Sequence, residues 1–210
     1  MPETPYVTYG QSCGCCGGDT SRAVTGCRFT LSPMTDRYVD HILSAIGQVD
    51  TTQVWSKTDK LSTVYRGQQL HVEDAVMACF VRAYDPAVHM TMELTFSRGC
   101  PGDTDADCFL AGDCPPANAP FIREIHFPVA CKIALYPMGV PDYMRHIAHI
   151  VNHAIDLGLY DSSSHYCTML QGDVQALFAY FHWVNSYCAE QLSHSVFEVT
   201  LSVNSPTKEA

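Results

Sequence analysis

The sequence has 210 residues, enough for one large or two small domains, and its 47% of hydrophobic residues can form a core. The net charge is −10 with only 12 lysine and arginine residues, which argues against a nucleic-acid surface because such a surface needs a basic face. The sequence has no apolar run of about eighteen residues, so it predicts no membrane span.

Residues 1–20 are polar and rich in glycine, and they contain Cys13, Cys15 and Cys16. They have neither the basic end nor the apolar centre of a secretory signal, so we expect a cytoplasmic protein. We predict a flexible arm here. The alternative, a metal or redox site, requires four matched ligands, and the sequence has no evident second cluster.

The chain contains 11 cysteines, which is a high and odd number. In a secreted protein they would indicate disulfides, but without a signal we expect reduced thiols. Cys27, Cys79 and Cys131 lie on apolar patterns and are predicted to be core residues.

One stretch of the chain occurs twice. Residues 27–34 read CRFTLSPM, and residues 131–138 read CKIALYPM. Each copy is typical of a buried strand that ends at proline. The common register continues, so that Thr63 corresponds to Thr168. This self-similarity indicates a duplicated domain with a pseudo-twofold axis, since two units are too few for a solenoid.

The first copy predicts the element order β-α-β-β-α-β, which is the split unit of ferredoxin-like folds. Its strands follow a period of two residues and its helices carry apolar stripes at helical spacing. In chain order, the predicted elements are a strand over 27–32, a helix striped from Tyr38 to Ile46, strands over 51–57 and 61–66, a helix striped from Val72 to Ala83, and a strand over 90–96.

The second copy predicts the same order, with helices over 142–157 and 173–191 and a closing strand over 196–203. The predicted fold class is therefore α+β, with tandem ferredoxin-like repeats and antiparallel sheets. Because both helices of a unit cover one sheet face, we expect the other face to pair with a second sheet, between the units, between subunits or both. The predicted domains are the arm over 1–20, a first repeat over 21–102, a linker over 103–125 and a second repeat over 126–206.

The linker contains three aspartates at the spacing of a calcium loop, Asp103, Asp105 and Asp107. An EF-hand is rejected, because Cys108 stands where the loop needs glycine and Cys114 stands where it needs glutamate. A looser cation site and a solvated turn both remain open, and the turn is the default.

His146, His149 and His153 fall at i, i+3 and i+7 of one predicted helix, so they share a face. Imidazoles in this arrangement could bind zinc. The opposite stripe of the helix is apolar, however, so we expect the histidines on the solvated side. No nucleotide-binding, serine-hydrolase or zinc-protease motif occurs, and nothing in the sequence argues for catalysis.

Two threonines occupy the same position in the two copies, Thr63 and Thr168. They fall on the third strand of each unit, which is central in the ferredoxin-like strand order 4-1-3-2. The simpler interpretation is that threonine has a high strand propensity. The functional hypothesis is a pocket in which the threonine hydroxyl and the backbone of Leu31 or Leu135 recognise a flat polar ring.

The chain resembles the YkoF family of bacterial thiamin/hydroxymethylpyrimidine-binding proteins over about residues 21–206. Each motif alone would be weak evidence, but together they are specific. The motifs are Leu-x-Pro-Met at 31–34 and 135–138, VWSKTD at 54–59, Ser-Thr-x-x-Arg-Gly at 62–67, GCPGD at 99–103, PDYM at 141–144, His-Tyr at 165–166 and NSP at 204–206.

The resemblance implies a tandem ferredoxin-like, ACT-like protein that forms a homodimer and binds one thiamin-type ligand in each repeat. It implies a binding protein without a cofactor, linked to uptake or salvage of the hydroxymethylpyrimidine half of thiamin, and not an enzyme. Transferred to this chain, the first site uses Leu31 and Thr63, and the second uses Leu135 and Thr168. Because the thiazolium of thiamin is a cation, aromatic or acidic groups would help to hold it, and the candidates are Asp59, Tyr136 and Tyr166.

Two other classes of protein remain open. One is an enzyme on the same scaffold, such as a cofactor-free or haem-degrading monooxygenase, since fold does not determine function. The other is a metal-handling protein that uses the cysteine-rich arm and the three histidines. The two copies also differ, with Ser32 where the second has Tyr136, so we expect unequal sites.

Overall fold

The computed structural model describes residues 24–99, 108–110 and 112–207. The predictions for the arm over 1–20 and for Asp103, Asp105 and Asp107 lie outside these residues. The first repeat consists of β1 (Thr25–Pro33), α1 (Tyr38–Ile46), β2 (Trp55–Thr58), β3 (Thr63–Gly67), α2 (Gln69–Ala83) and β4 (Met90–Arg98).

The second repeat has the same order of strands and helices, and a short helix precedes it in the linker. The predicted α+β fold of tandem ferredoxin-like units is therefore confirmed. The remaining elements are α3 (Ala119–Ile122), β5 (Pro128–Met138), α4 (Tyr143–Asp156), β6 (Tyr160–Ser164), β7 (Cys167–Asp173), α5 (Val174–Gln191) and β8 (His194–Val203).

All eight strands form one antiparallel sheet in the order β2-β3-β1-β4-β8-β5-β7-β6. Each repeat has the strand order 4-1-3-2, and the repeats join edge to edge, with Met90 opposite Val203 and Arg98 opposite Ser195. Of the expected alternatives, face-to-face packing of sheets between the repeats is therefore wrong, and packing between subunits stays a prediction. The exposed edges of β4 and β8 satisfy each other's backbone groups, which leaves both repeats in one layer.

The core lies between this sheet and the helices, which cover one of its faces. Along β1 the alternation is regular: Cys27, Phe29 and Leu31 are buried, and the residues between them point to the other face. Across the junction of the repeats, the rings of Phe96 and Phe197 stack with their centroids 6.3 Å apart. The core positions predicted for three cysteines are confirmed: the exposed fraction is 0% for Cys27 and Cys79 and 1% for Cys131.

A polar cluster joins α2 of the first repeat to α5 of the second. The carboxylate of Glu73 is 7% exposed and accepts hydrogen bonds from Nδ1 of His182 at 2.6 Å and Nδ2 of Asn185 at 2.8 Å. The hydrogen bond to Glu73 raises the pKa of His182. Buried polar groups of this kind need their partners, so this cluster favours one arrangement of the two repeats.

The described part of the linker is held against the first repeat. Asn118 is 4% exposed; its side-chain oxygen accepts from the backbone N–H of Asp50, and its Nδ2 donates to the Asp50 carbonyl and to the Asp74 carboxylate. None of the helices in the described ranges combines the length and the apolar character that a membrane span requires.

Candidate functional site

The candidate site lies where β5 extends beyond β7. The ladder between these strands ends at the pair Ile133 and Thr168, whereas β5 continues to Met138. Beyond Thr168 the chain turns back towards β6 through Tyr166, and no backbone hydrogen bond joins Tyr166 to Leu135, although both residues are described.

The backbone of Leu135 therefore offers hydrogen-bonding groups at this point. Just before β5 begins, the carbonyl of Phe127 accepts from the N–H of Val174, the residue after β7, so it points towards the β7 side. Backbone direction alternates along a strand, and Leu135 has the same direction as Phe127. Its N–H and C=O face the place where β7 has already ended, and a ligand in that place could bind both groups.

A cavity of about 970 Å³ opens at this end of β5, beneath α4. Its volume and mainly apolar lining are those of a small-molecule site. Four of the seven residues predicted for binding line it together: Leu135, Tyr136, Tyr166 and Thr168.

Thr168 supplies a polar group to this apolar lining. The residue is 8% exposed, and within the described chain its hydroxyl makes no hydrogen bond. The hydroxyl is not one of the fully buried polar atoms that lack a partner, so it is accessible from the cavity, where a ligand can form a hydrogen bond with it.

Two tyrosines border the opening. Tyr166 is 98% exposed and has a φ of 68°, in the left-handed region that non-glycine residues rarely adopt. Such backbone conformations are common at binding sites. The hydroxyl of Tyr136 donates to Oε2 of Glu198 at 3.4 Å, and the negative charge of Glu198 raises the pKa of Tyr136.

The first repeat has the same plan, but its threonine already has a partner. The β1–β3 ladder ends at the pair Phe29 and Thr63, so Leu31 extends beyond β3 as Leu135 extends beyond β7. The hydroxyls of Thr63 and Thr58 are joined by a hydrogen bond of 2.9 Å. A ligand in the first repeat would have to share or replace that bond.

Asp59 belongs to the β2–β3 turn of the first repeat and does not line the cavity of the second. It accepts from Nη1 of Arg28 at 2.9 Å and from the backbone N–H groups of Leu61 and Ser62. The hydrogen bond from Arg28 lowers the pKa of Asp59 to about 2. These contacts give Asp59 a structural role in the turn, and its role in binding stays a prediction.

Sequence reasoning missed part of the cavity wall. Tyr143, Ile147 and Val151 of α4 line it, as does Glu198 of β8. The sequence predicts the apolar stripe of α4 to be core, but only part of that stripe is buried. Glu198 could not be found without the register of β5 and β8, which sets it beside Ala134.

The expectation that the three helix histidines lie on the solvated side is wrong for His146, which is 2% exposed. Its Nδ1 is hydrogen-bonded to the Tyr187 hydroxyl at 2.7 Å, and the ring of His153 lies 3.7 Å from that of Trp183. Trp183 and Tyr187, one turn apart on α5, contact the histidine rings of α4, whereas His149 itself is exposed, as expected. Within the described residues, no group of three His, Cys, Asp or Glu side chains could hold a metal ion.

Fold and site together define a tandem ferredoxin-like α+β protein with a ligand-sized cavity at the end of a central strand. The chain belongs to the YkoF-related family, whose model matches residues 24–103 and 128–208, once in each repeat. It is similar to a protein of Bacillus subtilis (strain 168) named "Putative HMP/thiamine-binding protein YkoF". The two are 40% identical over 193 residues, which cover 92% of this chain and 95% of that relative. The family predicted from the sequence motifs is confirmed.

Proposed function

We propose that this protein binds thiamin or its hydroxymethylpyrimidine moiety, with one site in each repeat, and does not transform it. The observation that carries the proposal is the second-repeat cavity, where a hydroxyl without a partner on Thr168 lies near the free backbone groups of Leu135. An aminopyrimidine has a donor amine and acceptor ring nitrogens, which match these groups. The name of the Bacillus relative supports the same ligand class.

A site in the first repeat is supported by its equivalent geometry. Leu31 extends beyond β3, and Thr63 is the last residue of β3 that pairs with β1. Since the Thr63 hydroxyl is already bonded to Thr58, we expect weaker binding there than at Thr168.

The binding role is proposed over the enzyme alternative because the relative is named as a binding protein and no feature of the cavity requires catalysis. A ferredoxin-like monooxygenase remains the rival. Incubation with oxygen and thiamin, followed by mass analysis, separates them: unchanged thiamin agrees with the binding role, and an oxidised product contradicts it.

We further propose a cytoplasmic homodimer that serves uptake or salvage of the pyrimidine. The helices leave one face of the eight-stranded sheet uncovered, and this face is the candidate contact between two copies. Six cysteines in the described residues are free thiols, which is typical of a reducing compartment: Cys27, Cys79, Cys114, Cys131, Cys167 and Cys188. Light scattering well above micromolar concentration tests the dimer, and a monomer mass would contradict it.

The decisive experiment is calorimetry with thiamin, thiamin phosphates and hydroxymethylpyrimidine. We expect heat and a rise in the melting temperature with thiamin and with the free pyrimidine. If millimolar thiamin gives neither heat nor a thermal shift, the proposed function is wrong.

A further inference from the structure

The cavity of the second repeat carries charge of only one sign. Its lining contains the carboxylate of Glu198 and no lysine, arginine or histidine. Three tyrosines also line it, and each is at least about half exposed: Tyr136, Tyr143 and Tyr166. The faces of aromatic rings attract cations. The carboxylate and the rings therefore favour a positively charged group and disfavour an anion in the same space.

Glu198 has no cationic partner within the described part of the chain. Its one hydrogen bond there comes from Tyr136. The register sets Thr95 beside it on β4 and Ala134 beside it on β5. Lys132, on the same face of β5, stands opposite Thr200 and forms no ion pair with Glu198. Within the described residues of one chain the negative charge is therefore unpaired, and it faces solvent, a ligand or, on the sheet face proposed as the dimer contact, a second copy.

The cavity has two chemically different ends. Leu135 is buried on the helix side of the sheet, near Thr168 and the apolar residues of α4. Tyr136 and Glu198 point to the opposite face, because they alternate with the buried residues Leu135 and Phe197. This arrangement fits a ligand with an uncharged, hydrogen-bonding ring at one end and a positively charged ring at the other.

We propose that Glu198 is a specificity-determining residue, which makes this cavity select a ligand with a cationic ring over the uncharged pyrimidine and over phosphorylated esters. The inference rests on the proposed function and narrows it to unphosphorylated thiamin at the second site. A phosphate attached to the ligand would bring negative charge towards the Glu198 carboxylate, and the cavity offers no basic side chain to offset the repulsion.

The first repeat supplies a matched control, Glu93. It occupies the position on β4 that Glu198 occupies on β8, and it stands opposite Thr30 of β1. The first repeat has Ser32 at the position of Tyr136, so Glu93 has no tyrosine partner equivalent to that of Glu198.

The test is calorimetry of the wild type, Glu198→Gln and Glu93→Gln with thiamin, thiamin monophosphate and hydroxymethylpyrimidine. In Glu198→Gln we expect thiamin to bind about three- to tenfold more weakly at one of the two sites. This is the loss in affinity expected when an exposed ion pair with an additional aromatic contribution is removed. We expect the affinity for the pyrimidine to change by less than about twofold. The affinity for thiamin monophosphate should become closer to that for thiamin. In Glu93→Gln, the affinity of the second-repeat site for thiamin should stay within about twofold of the wild-type affinity.

Two results would overturn the inference while the proposed function stands. One is equal weakening of thiamin and the pyrimidine in Glu198→Gln, which would mean that Glu198 shapes the site and does not respond to charge. The other is tight binding of thiamin monophosphate at the wild-type second site. Light scattering of each variant checks that the oligomeric state is unchanged.

A probe unrelated to thiamin separates this inference from the proposed function. 1-Benzylpyridinium is a permanent cation, and 2-benzylpyridine is its uncharged analogue in mildly alkaline buffer. If the wild type binds no thiamin compound but prefers the cationic probe, and Glu198→Gln removes that preference, the proposed function fails and the charge selection holds. If the wild type shows no preference between the probes and none for thiamin, the charge selection is wrong.

Discussion

The two repeats share one backbone plan but differ in how far their polar groups are already paired. In the first repeat Thr63 is bonded to Thr58, and Asp59 is bonded to Arg28. In the second repeat, among the described residues, the hydroxyl of Thr168 has no partner. Duplication has kept the strand order and the helix packing, whereas the pairing of side chains has diverged. A ligand can therefore form more new hydrogen bonds in the second repeat than in the first.

The helices that flank the two sites differ in length as well. α1 has 9 residues and α4 has 14. The extra residues of α4 lie at its C-terminal end, whereas Tyr143 and Ile147, which line the cavity, correspond to Tyr38 and Ile42 of α1. On the shorter helix, Tyr38 and Leu43 are 55% and 65% exposed. Tyr143 is 51% exposed, close to the value for Tyr38, so the additional length of α4 does not deepen the wall of the second site.

The largest effect on stability is expected from substitutions of the residues that directly follow β4 and β8. Gly99 and Asn204 both have positive φ, of 79° and 53°. A Cβ on Gly99 would overlap the carbonyl oxygen of Ser193 and would strain the backbone. Gly99→Ala should therefore lower the free energy of unfolding by about 3 kcal/mol. Denaturation in urea measures this value.

Asn204→Gly is the matched change, because glycine keeps the left-handed backbone there. It removes the hydrogen bonds from Nδ2 to the carbonyls of Asp85 and Val88 and should cost only about 1 kcal/mol. If the two variants lost equal amounts of unfolding free energy, the predicted difference between Gly99 and Asn204 would be wrong.

The next effect concerns ligand binding at the two threonines. Thr168→Val keeps the shape and removes the hydroxyl, so thiamin should bind about 1–3 kcal/mol more weakly at the second site. Thr63→Val should cost about 1 kcal/mol at the first site, because the Thr58 hydroxyl remains for the ligand. Two-phase calorimetric titrations measure each site.

Stability gives the control for this pair. Thr168→Val removes no protein hydrogen bond, so the melting temperature should stay level or rise. Thr63→Val breaks the bond to Thr58 and should lower it slightly. If both variants bind like the wild type, the two threonines are not ligand contacts, whatever the fold.

A smaller effect tests the polar cluster that joins the repeats. Hydrogen bonding to Glu73 raises the pKa of His182 above its ordinary value of 6.5. The protonated histidine is thus favoured in the folded state, and its stabilisation is complete below pH 6.5 and lost as pH rises through the raised value. The difference in unfolding free energy between wild type and His182→Gln should be larger at about pH 6 than at about pH 9. A difference independent of pH would show that protonation of His182 plays no part.

The smallest effect is expected at the exposed turn of the first repeat. The pKa of Asp59 is lowered from 3.8 to about 2, so its stabilisation is present above pH 3.8 and is lost as pH falls through about 2. Asp59→Asn should lower the melting temperature slightly at neutral pH, and added salt should reduce the difference. The second repeat has Ser164 at this position, and Ser164→Ala should show no such salt dependence.

Much of this fold could be predicted because the doubled stretch and its alternation are local. Cys27 and Cys131 begin the same pattern in both copies, and the period of each element follows from its own residues. The edge-to-edge junction could not be predicted in this way. Which strand edges meet is decided by contacts between β4 and β8, and these strands are separated by most of the second repeat.

The candidate site was partly predictable for the same reason. Thr168 and Leu135 could be identified because each has a counterpart in the first copy. Glu198 was missed because its place beside Tyr136 depends on strand register, and His146 was misplaced because its partner Tyr187 lies on another helix. Long-range partners are not encoded in a helical or strand period.

The pairing of β4 with β8 has a consequence for any attempt to divide the molecule. The outer strands of the sheet are short, with 4 residues in β2 and 5 in β6, but β4 would expose 9 residues of unpaired backbone in an isolated first repeat. Its apolar residues Met92, Leu94 and Phe96 would lose their cover at that edge. Such an edge recruits other strands. An excised repeat is therefore expected to self-associate through β4, either as a closed pair that rebuilds the eight-stranded sheet or as an aggregate.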